Sequence, residues 1–285
     1  MKINPVIEKE LKTTMRGWRA PLLISLYLGF LLLVTYLFFL ANDQMYMNGM
    51  QSFNPRVAIN AFSTLAFFQL LLLLFIIPIL TGGAISSERE RQTLDLLLCT
   101  SFSTYKVIIG KIFVSIANVL LLIIASFPIM GIVFLFGGIK ISSILLLFVF
   151  YLITALMIGS LGVFYSTVFK KTIVSIVMTY LTIFVLVVGT YVAMGLFLFF
   201  TRVNNVGLVQ EEILAFVFPN PFAGFGAIIA SMASGNSFVG GLASVTTNNS
   251  SGDYSTALLL SNLGFDVLFA TLLVIFGSWK LRSVK

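Results

Sequence analysis

The chain reads as an all-α membrane protein with six transmembrane helices. Three observations carry this reading. Of 285 residues, 59% are hydrophobic and only 9% are charged, against roughly 25% charged in a soluble domain. Six stretches are long and apolar enough to cross a bilayer, which takes roughly 20 such residues. The basic residues fall almost wholly on one side of those stretches. A mean hydropathy of +1.08 excludes a soluble or disordered chain. The absence of His removes His-based triads and zinc motifs. Cys99, the single cysteine, removes an internal disulfide framework and a cysteine metal cluster. No catalytic residue and no metal ligand set is predicted.

Residues 1–20 precede the first span. Asn4 can cap a helix that starts at Pro5. At about 100° per residue, Ile3, Ile7, Leu11, Met15 and Trp18 share one face, and Lys9, Lys12, Arg16 and Arg19 another. Such a helix lies in the membrane interface with its basic groups toward anionic lipid. It serves either as a topological anchor or as a lever between the first span and a cytoplasmic partner. The charged lead and apolar run are too long for a cleaved signal peptide, so the first span reads as a retained anchor.

The predicted spans are 21–41, 61–84, 107–136, 143–169, 172–200 and 261–279. Pro78 and Pro128 fall inside two of them, where kinks are expected. The third and fifth are long enough to tilt, kink or project. Lys2, Lys9, Lys12, Arg16 and Arg19 lie before the first span. Arg89, Arg91, Lys106 and Lys111 flank the second loop, Lys170 and Lys171 the fourth, and Lys280, Arg282 and Lys285 the tail. Only Arg56, Lys140 and Arg202 fall on the other side. This bias places both termini in the cytoplasm. It also reassigns the net charge of +7 from nucleic-acid binding to membrane topology, so no nucleic-acid partner is expected.

The loop at 85–106 is the densest charge cluster. Ser86 or Ser87 can cap a helix there, with acidic residues at its positive end. On one continuous helix Leu94, Leu97 and Leu98 form an apolar face, Glu88, Gln92 and Asp95 lie opposite, and Arg91 pairs with Asp95 at i+4. Such a helix either closes a hairpin on the membrane or offers a Leu face to a soluble partner.

Residues 201–260 form the outer segment. Its apolar runs Ile213–Phe218 and Phe222–Ala230 are each too short to span and are broken by Pro219-Asn220-Pro221. A re-entrant or interfacial hairpin fits. It is either a lid without specificity or a guard of substrate exit. Ser231–Thr256 has the composition of a flexible linker. Asp266 is the clearest acid inside a span, about five residues from its outer end and so roughly 8 Å deep. It is a candidate for transport or a tolerated interfacial acid. Gln69, Asn118 and Asn262 read as interhelical hydrogen-bonding groups, and Gly159, Gly162, Gly189 and Gly195 as close-packing positions.

Several of these patterns resemble the permease subunits of type-2 ABC transporters. They are Glu88-Arg89-Glu90-x-x-Thr93-Leu94-Asp95-Leu96-Leu97-Leu98-x-Thr100 followed by Lys106 and Gly110-Lys111, Asn4-Pro5-Val6 with Glu10-Leu11, and Pro219-Asn220-Pro221-Phe222. The resemblance covers essentially the whole chain. Gln92 stands where the family usually has Gly, Asp95 where it usually has Glu, and Ser101-Phe102 where it usually has a Pro-containing turn. The resemblance implies an elbow helix bearing Lys9, Lys12, Arg16 and Trp18. It implies a coupling helix in which Glu88, Arg89, Glu90, Thr93, Leu94, Asp95, Leu97 and Leu98 dock a separate ABC ATPase subunit. It also implies a second permease subunit, identical or related, and export across the cytoplasmic membrane. ATP and Mg would be bound by the ATPase subunit, with no cofactor in this chain. The sequence agrees on the last point: Gly110-Lys111 lacks the glycine spacing of a phosphate-binding loop. Two other classes keep a place, an ATP-independent membrane scaffold and an ion-coupled carrier. The carrier would call for buried acids or an inverted repeat with broken helices.

Overall fold

A computed structural model describes residues 18–47, 55–92, 104–135, 140–203, 216–233 and 254–282. Among these residues the chain is helical, with no strand. The helices are α1 (Arg19–Met47), α2 (Pro55–Gly82), α3 (Ser86–Glu90), α4 (Thr104–Leu135) and α5 (Ile141–Val168). They are followed by α6 (Thr172–Phe184), a π-helical turn (Val185–Gly189), α7 (Thr190–Val203), α8 (Pro221–Ala233) and α9 (Tyr254–Arg282). Six stretches are long and apolar enough to cross a membrane, with α6, the π turn and α7 together making the fifth. The long fifth span is thus interrupted by a wide turn, while Pro78 and Pro128 sit inside uninterrupted α-helices.

Helix α5 is the hub. It packs against α2, α4, α6, α8 and α9. Tyr27, Phe62, Leu122, Phe150, Ile228 and Ala270 bring five of the surrounding elements and α5 itself into one buried core. Lipid tails are as apolar as these side chains, so shape and hydrogen bonding must hold the helices together. Gln69 does this as expected: its amide nitrogen, Nε2, donates to Ser126 Oγ on α4 at 2.9 Å. Tyr151 of α5 donates to the Ala66 carbonyl of α2 at 2.7 Å. Beside Gln69, Ser126 and Tyr151 lies a cavity of about 20 Å³, room for a single water.

Of the four glycines expected to permit close packing, only Gly162 sits where a side chain would not fit. A Cβ on Gly162 would meet the Thr81 side chain, with Thr81 Cβ 2.8 Å away, and Gly159 faces the same threonine at 3.7 Å. On the other side of α2, a Cβ on Gly82 would lie 2.6 Å from Ile176 Cγ1. The end of α2 is therefore wedged between α5 and α6. Gly195 has open space around it, and Gly189 meets only Val185 of its own π turn.

The last helix begins at Tyr254, seven residues ahead of the expected span. Tyr254–Leu260 contains Ala257 and three leucines, good helix formers, next to a Ser-, Gly- and Asn-rich run that hid them in the sequence. Asp266 accordingly lies roughly 18 Å along the helix by its rise per residue, not near its end.

Candidate functional site

The charged end of the bundle gathers the terminus of α2, the start of α4, the end of α5, the start of α6 and the end of α9. Ile85, Ile108, Ile112, Val163 and Leu281 form a small buried cluster under it. On this cluster sits α3, five residues long.

Neither Ser86 nor Ser87 caps α3. Its N-cap residue is Ile85, with no side-chain capping bond of its own. Both serine hydroxyls bond back along the chain, Ser86 to the carbonyl of Gly82 at the end of α2 at 3.0 Å and Ser87 to that of Gly83 just past it. The cap comes from another helix. Ser166 Oγ of α5 accepts the N–H groups of Ile85 at 2.7 Å and Ser86 at 2.8 Å, and donates to Ser86 Oγ at 3.3 Å. A helix start leaves such N–H groups orphaned unless something supplies an acceptor.

The three charged residues of α3 then reach three different helices. Glu88 lies 3.8 Å from Lys111 of α4, whose side chain is only 7% exposed. A buried ammonium is tolerated only beside a counter-charge. Arg89 Nη2 donates to the Thr167 carbonyl at the end of α5, at 3.3 Å. Glu90 accepts two bonds from Thr172, the first residue of α6, from N–H at 2.8 Å and from Oγ1 at 2.9 Å. The signs suit the helix dipoles, a cation at a C-terminus and an anion at an N-terminus. The Thr172 N–H and hydroxyl, followed by the charge of Lys171, hold the Glu90 carboxyl below the usual carboxylate range.

Helix α3 stops at Glu90, with Arg91 as its C-cap. Gln92 follows at φ 58°, in the left-handed region that favours glycine. This corrects the expectation of one continuous helix running from Glu88 into the leucines, while Asp95, the expected i+4 partner of Arg91, lies outside the described residues. Gln92 is the position where the family pattern has Gly, so the departure noted in sequence marks the break. Thr93, Leu94, Asp95, Leu97 and Leu98 lie outside the described residues, as do Lys9, Lys12 and Arg16. Trp18, immediately before α1, is 87% exposed, and Trp279 near the end of α9 is 71% exposed. Both sit at the charged end, where interfacial tryptophans are common.

At the opposite end, Pro219, Asn220, Pro221 and Phe222 lead into α8. Asn220 is fully buried and caps α8: its Oδ1 accepts the Phe222 N–H at 2.9 Å, with Pro221 at the first helical position. Its Nδ2 donates to the Val187 carbonyl of the π turn at 3.0 Å and to Thr190 Oγ1 at 2.9 Å. Asn262 of α9 donates to the carbonyls of Phe218 at 2.7 Å and Asn220 at 3.2 Å. Gly224 lets this happen, because a Cβ there would lie 2.8 Å from Asn262 Cγ and from the Phe150 ring. Helix α8 is about 20 Å long by its 13 residues, too short to span, and packs on α9, α5 and α2. The first limb of the expected hairpin falls largely outside the described residues.

Asp266 is fully buried between α9 and α5. Thr154 Oγ1 donates to its Oδ2 at 3.4 Å, and Oδ1 has no hydrogen-bond partner. No group of three or more potential metal-binding side chains occurs among the described residues.

The residues missed in sequence are Ser166, Thr167 and Thr172. Each acts on α3 from about 80 positions away, and common hydroxyl residues give no local signal of that.

Fold and site together define a multi-pass helical membrane protein with a short helix at its charged end braced against three spans. Residues 4–279 match the model of the ABC-2 family transporter protein family. The chain belongs to that family and is a membrane component of an ABC transporter. A comparison with curated proteins returned no match.

Proposed function

We propose that this chain is the permease subunit of an ATP-driven exporter in the cytoplasmic membrane. A separate ATPase subunit binds ATP and Mg and docks at the charged end, which faces the cytoplasm together with both termini. The permease pairs with a second copy or a related subunit around the translocation path. The observation that carries this reading is the bracing of α3. A docking segment can drive spans only if it is fixed to them, because packed elements move between discrete arrangements rather than flexing. Glu88, Arg89 and Glu90 fix it, while Thr93–Leu98 supply the apolar contact in a groove of the partner. Lys9, Lys12, Arg16 and Trp18 support the element from the elbow helix in anionic lipid. Pro219, Asn220, Pro221 and Phe222 hold the outer re-entrant element at the exit.

The test is purification of the intact chain from native membranes in mild detergent, with a Leu94/Leu97→Asp double variant alongside. Recovery of an ABC ATPase with the wild type and its loss from the variant support the proposal. Recovery of some other stoichiometric partner supports the scaffold reading instead.

One observation favours a second reading, an ion-coupled carrier: the buried Asp266 deep within α9. Intramembrane acids mark ion pathways by default. Asp266→Asn separates the two, since it abolishes ion-coupled flux but leaves ATP-driven export in place.

A further inference from the structure

The fifth span, which α6 opens, is the least buried of the six. Only Ser175 and Thr179 are buried along α6, and no residue of the π turn is. Helix α6 lies against α5 and α2, and a few discrete polar and close contacts fasten it there. At its N-terminus Lys171 supplies no side-chain cap, and Glu90 of α3 takes that role with both carboxylate oxygens. Ile176 lies against Gly82, and the Tyr180 hydroxyl donates to the Phe75 carbonyl of α2. At the far side of the π turn the fastening is Asn220. An element with little buried surface is the one that moves at least cost.

We infer that Glu90 and Thr172 form the link through which movement of the docking segment reaches α6. The inference rests on the docking reading above and deepens it by naming positioning residues and the element that receives the motion. Glu90 directly adjoins the exposed Arg91 and Gln92, which lead into the docking segment. A two-point contact to the first residue of α6 transmits both pull and rotation. A single exposed ion pair would be worth little; a carboxylate receiving two hydrogen bonds at a helix N-terminus is directional. Ser166 and Arg89 hold the same short helix to α5, so α3 pivots on α5 and moves α6.

The experiment is hydrogen–deuterium exchange by mass spectrometry on the permease–ATPase complex in nanodiscs, nucleotide-free and trapped with ATP and vanadate. Wild type is compared with Glu90→Ala, Thr172→Val and Thr172→Ser. The expected result is a several-fold nucleotide-dependent change in exchange both in residues 93–103 and in α6 for the wild type. In Glu90→Ala and Thr172→Val the ATPase stays bound and the change in 93–103 persists, but α6 no longer responds. Thr172→Ser restores the response. An α6 response that persists in both disabling variants overturns the link, as does release of the ATPase by Glu90→Ala, which would make Glu90 a docking contact. If the wild type carries no ATPase, the docking reading fails, and the link with it.

Discussion

The Ser166 hydroxyl of α5 caps α3 from another helix, accepting the N–H groups of Ile85 at 2.7 Å and Ser86 at 2.8 Å. Both residues are buried, at 1% and 0% exposure. Ser166→Ala leaves two buried donors without an acceptor, a cost of about 1–3 kcal/mol. Thermal unfolding in detergent is expected to shift downward accordingly. A variant at Ser278, whose exposed hydroxyl only bonds within its own helix, is expected to leave the transition unchanged.

Gln92 occupies a left-handed conformation that costs an L-residue about 1 kcal/mol. Gln92→Gly is therefore expected to raise stability by up to about 1 kcal/mol, part of it offset by the greater freedom of glycine in the unfolded chain. Gln92→Val is expected to lower it. Paired thermal melts of the three proteins check the order.

The Glu90 carboxyl is depressed by the Thr172 N–H, the Thr172 hydroxyl and then the Lys171 charge. A group whose folded pKa is lowered contributes stability above its unfolded value and loses it as pH falls through the folded value. The Glu90–Thr172 contact is thus expected to persist at neutral pH and through the ordinary carboxylate range, failing only below it. Amide exchange at Thr172, corrected for the intrinsic rate, is the readout. Protection that fades in the range of an unperturbed glutamate would contradict this, and Glu90→Gln is expected to abolish the pH dependence.

Asn220 makes one capping bond, one bond to the π turn at Val187 and one to Thr190 at the start of α7. Asn220→Ala is expected to cost about 2–3 kcal/mol, combining a lost cap with unpaired buried groups. Asn220→Asp keeps the capping oxygen but loses both donors and faces the Val187 carbonyl with an acceptor. Exchange is expected to rise in the π turn and α7 for both variants, and in α8 chiefly for Asn220→Ala.

The spans were legible because bilayer thickness imposes a length and composition that survive without any tertiary information. The helix start at Tyr254 was not, since polar composition conceals a helix that tertiary contacts extend. Asn220-Pro221 carries the same cap-and-proline signature that was read at Asn4-Pro5. The sequence could have marked the start of α8 there. The brace was illegible: Ser166, Thr167 and Thr172 are ordinary hydroxyl residues, and their meaning arises only when α5 and α6 bring them to α3. The break at Gln92 lay between these extremes. The missing glycine was visible, but the left-handed backbone that gives it significance was not.

The central claim is that the segment beginning at α3 docks an ATPase subunit on the cytoplasmic side. It is tested most directly by placing a photo-cross-linking amino acid at Arg91, which is exposed immediately after α3, and irradiating intact native membranes. The account predicts one dominant adduct, to a nucleotide-binding ABC subunit, that is lost when Leu94 and Leu97 are changed to Asp. Adducts to a protein without an ATP-binding fold, or labelling of the same position by a membrane-impermeant reagent from outside the cell, would contradict it.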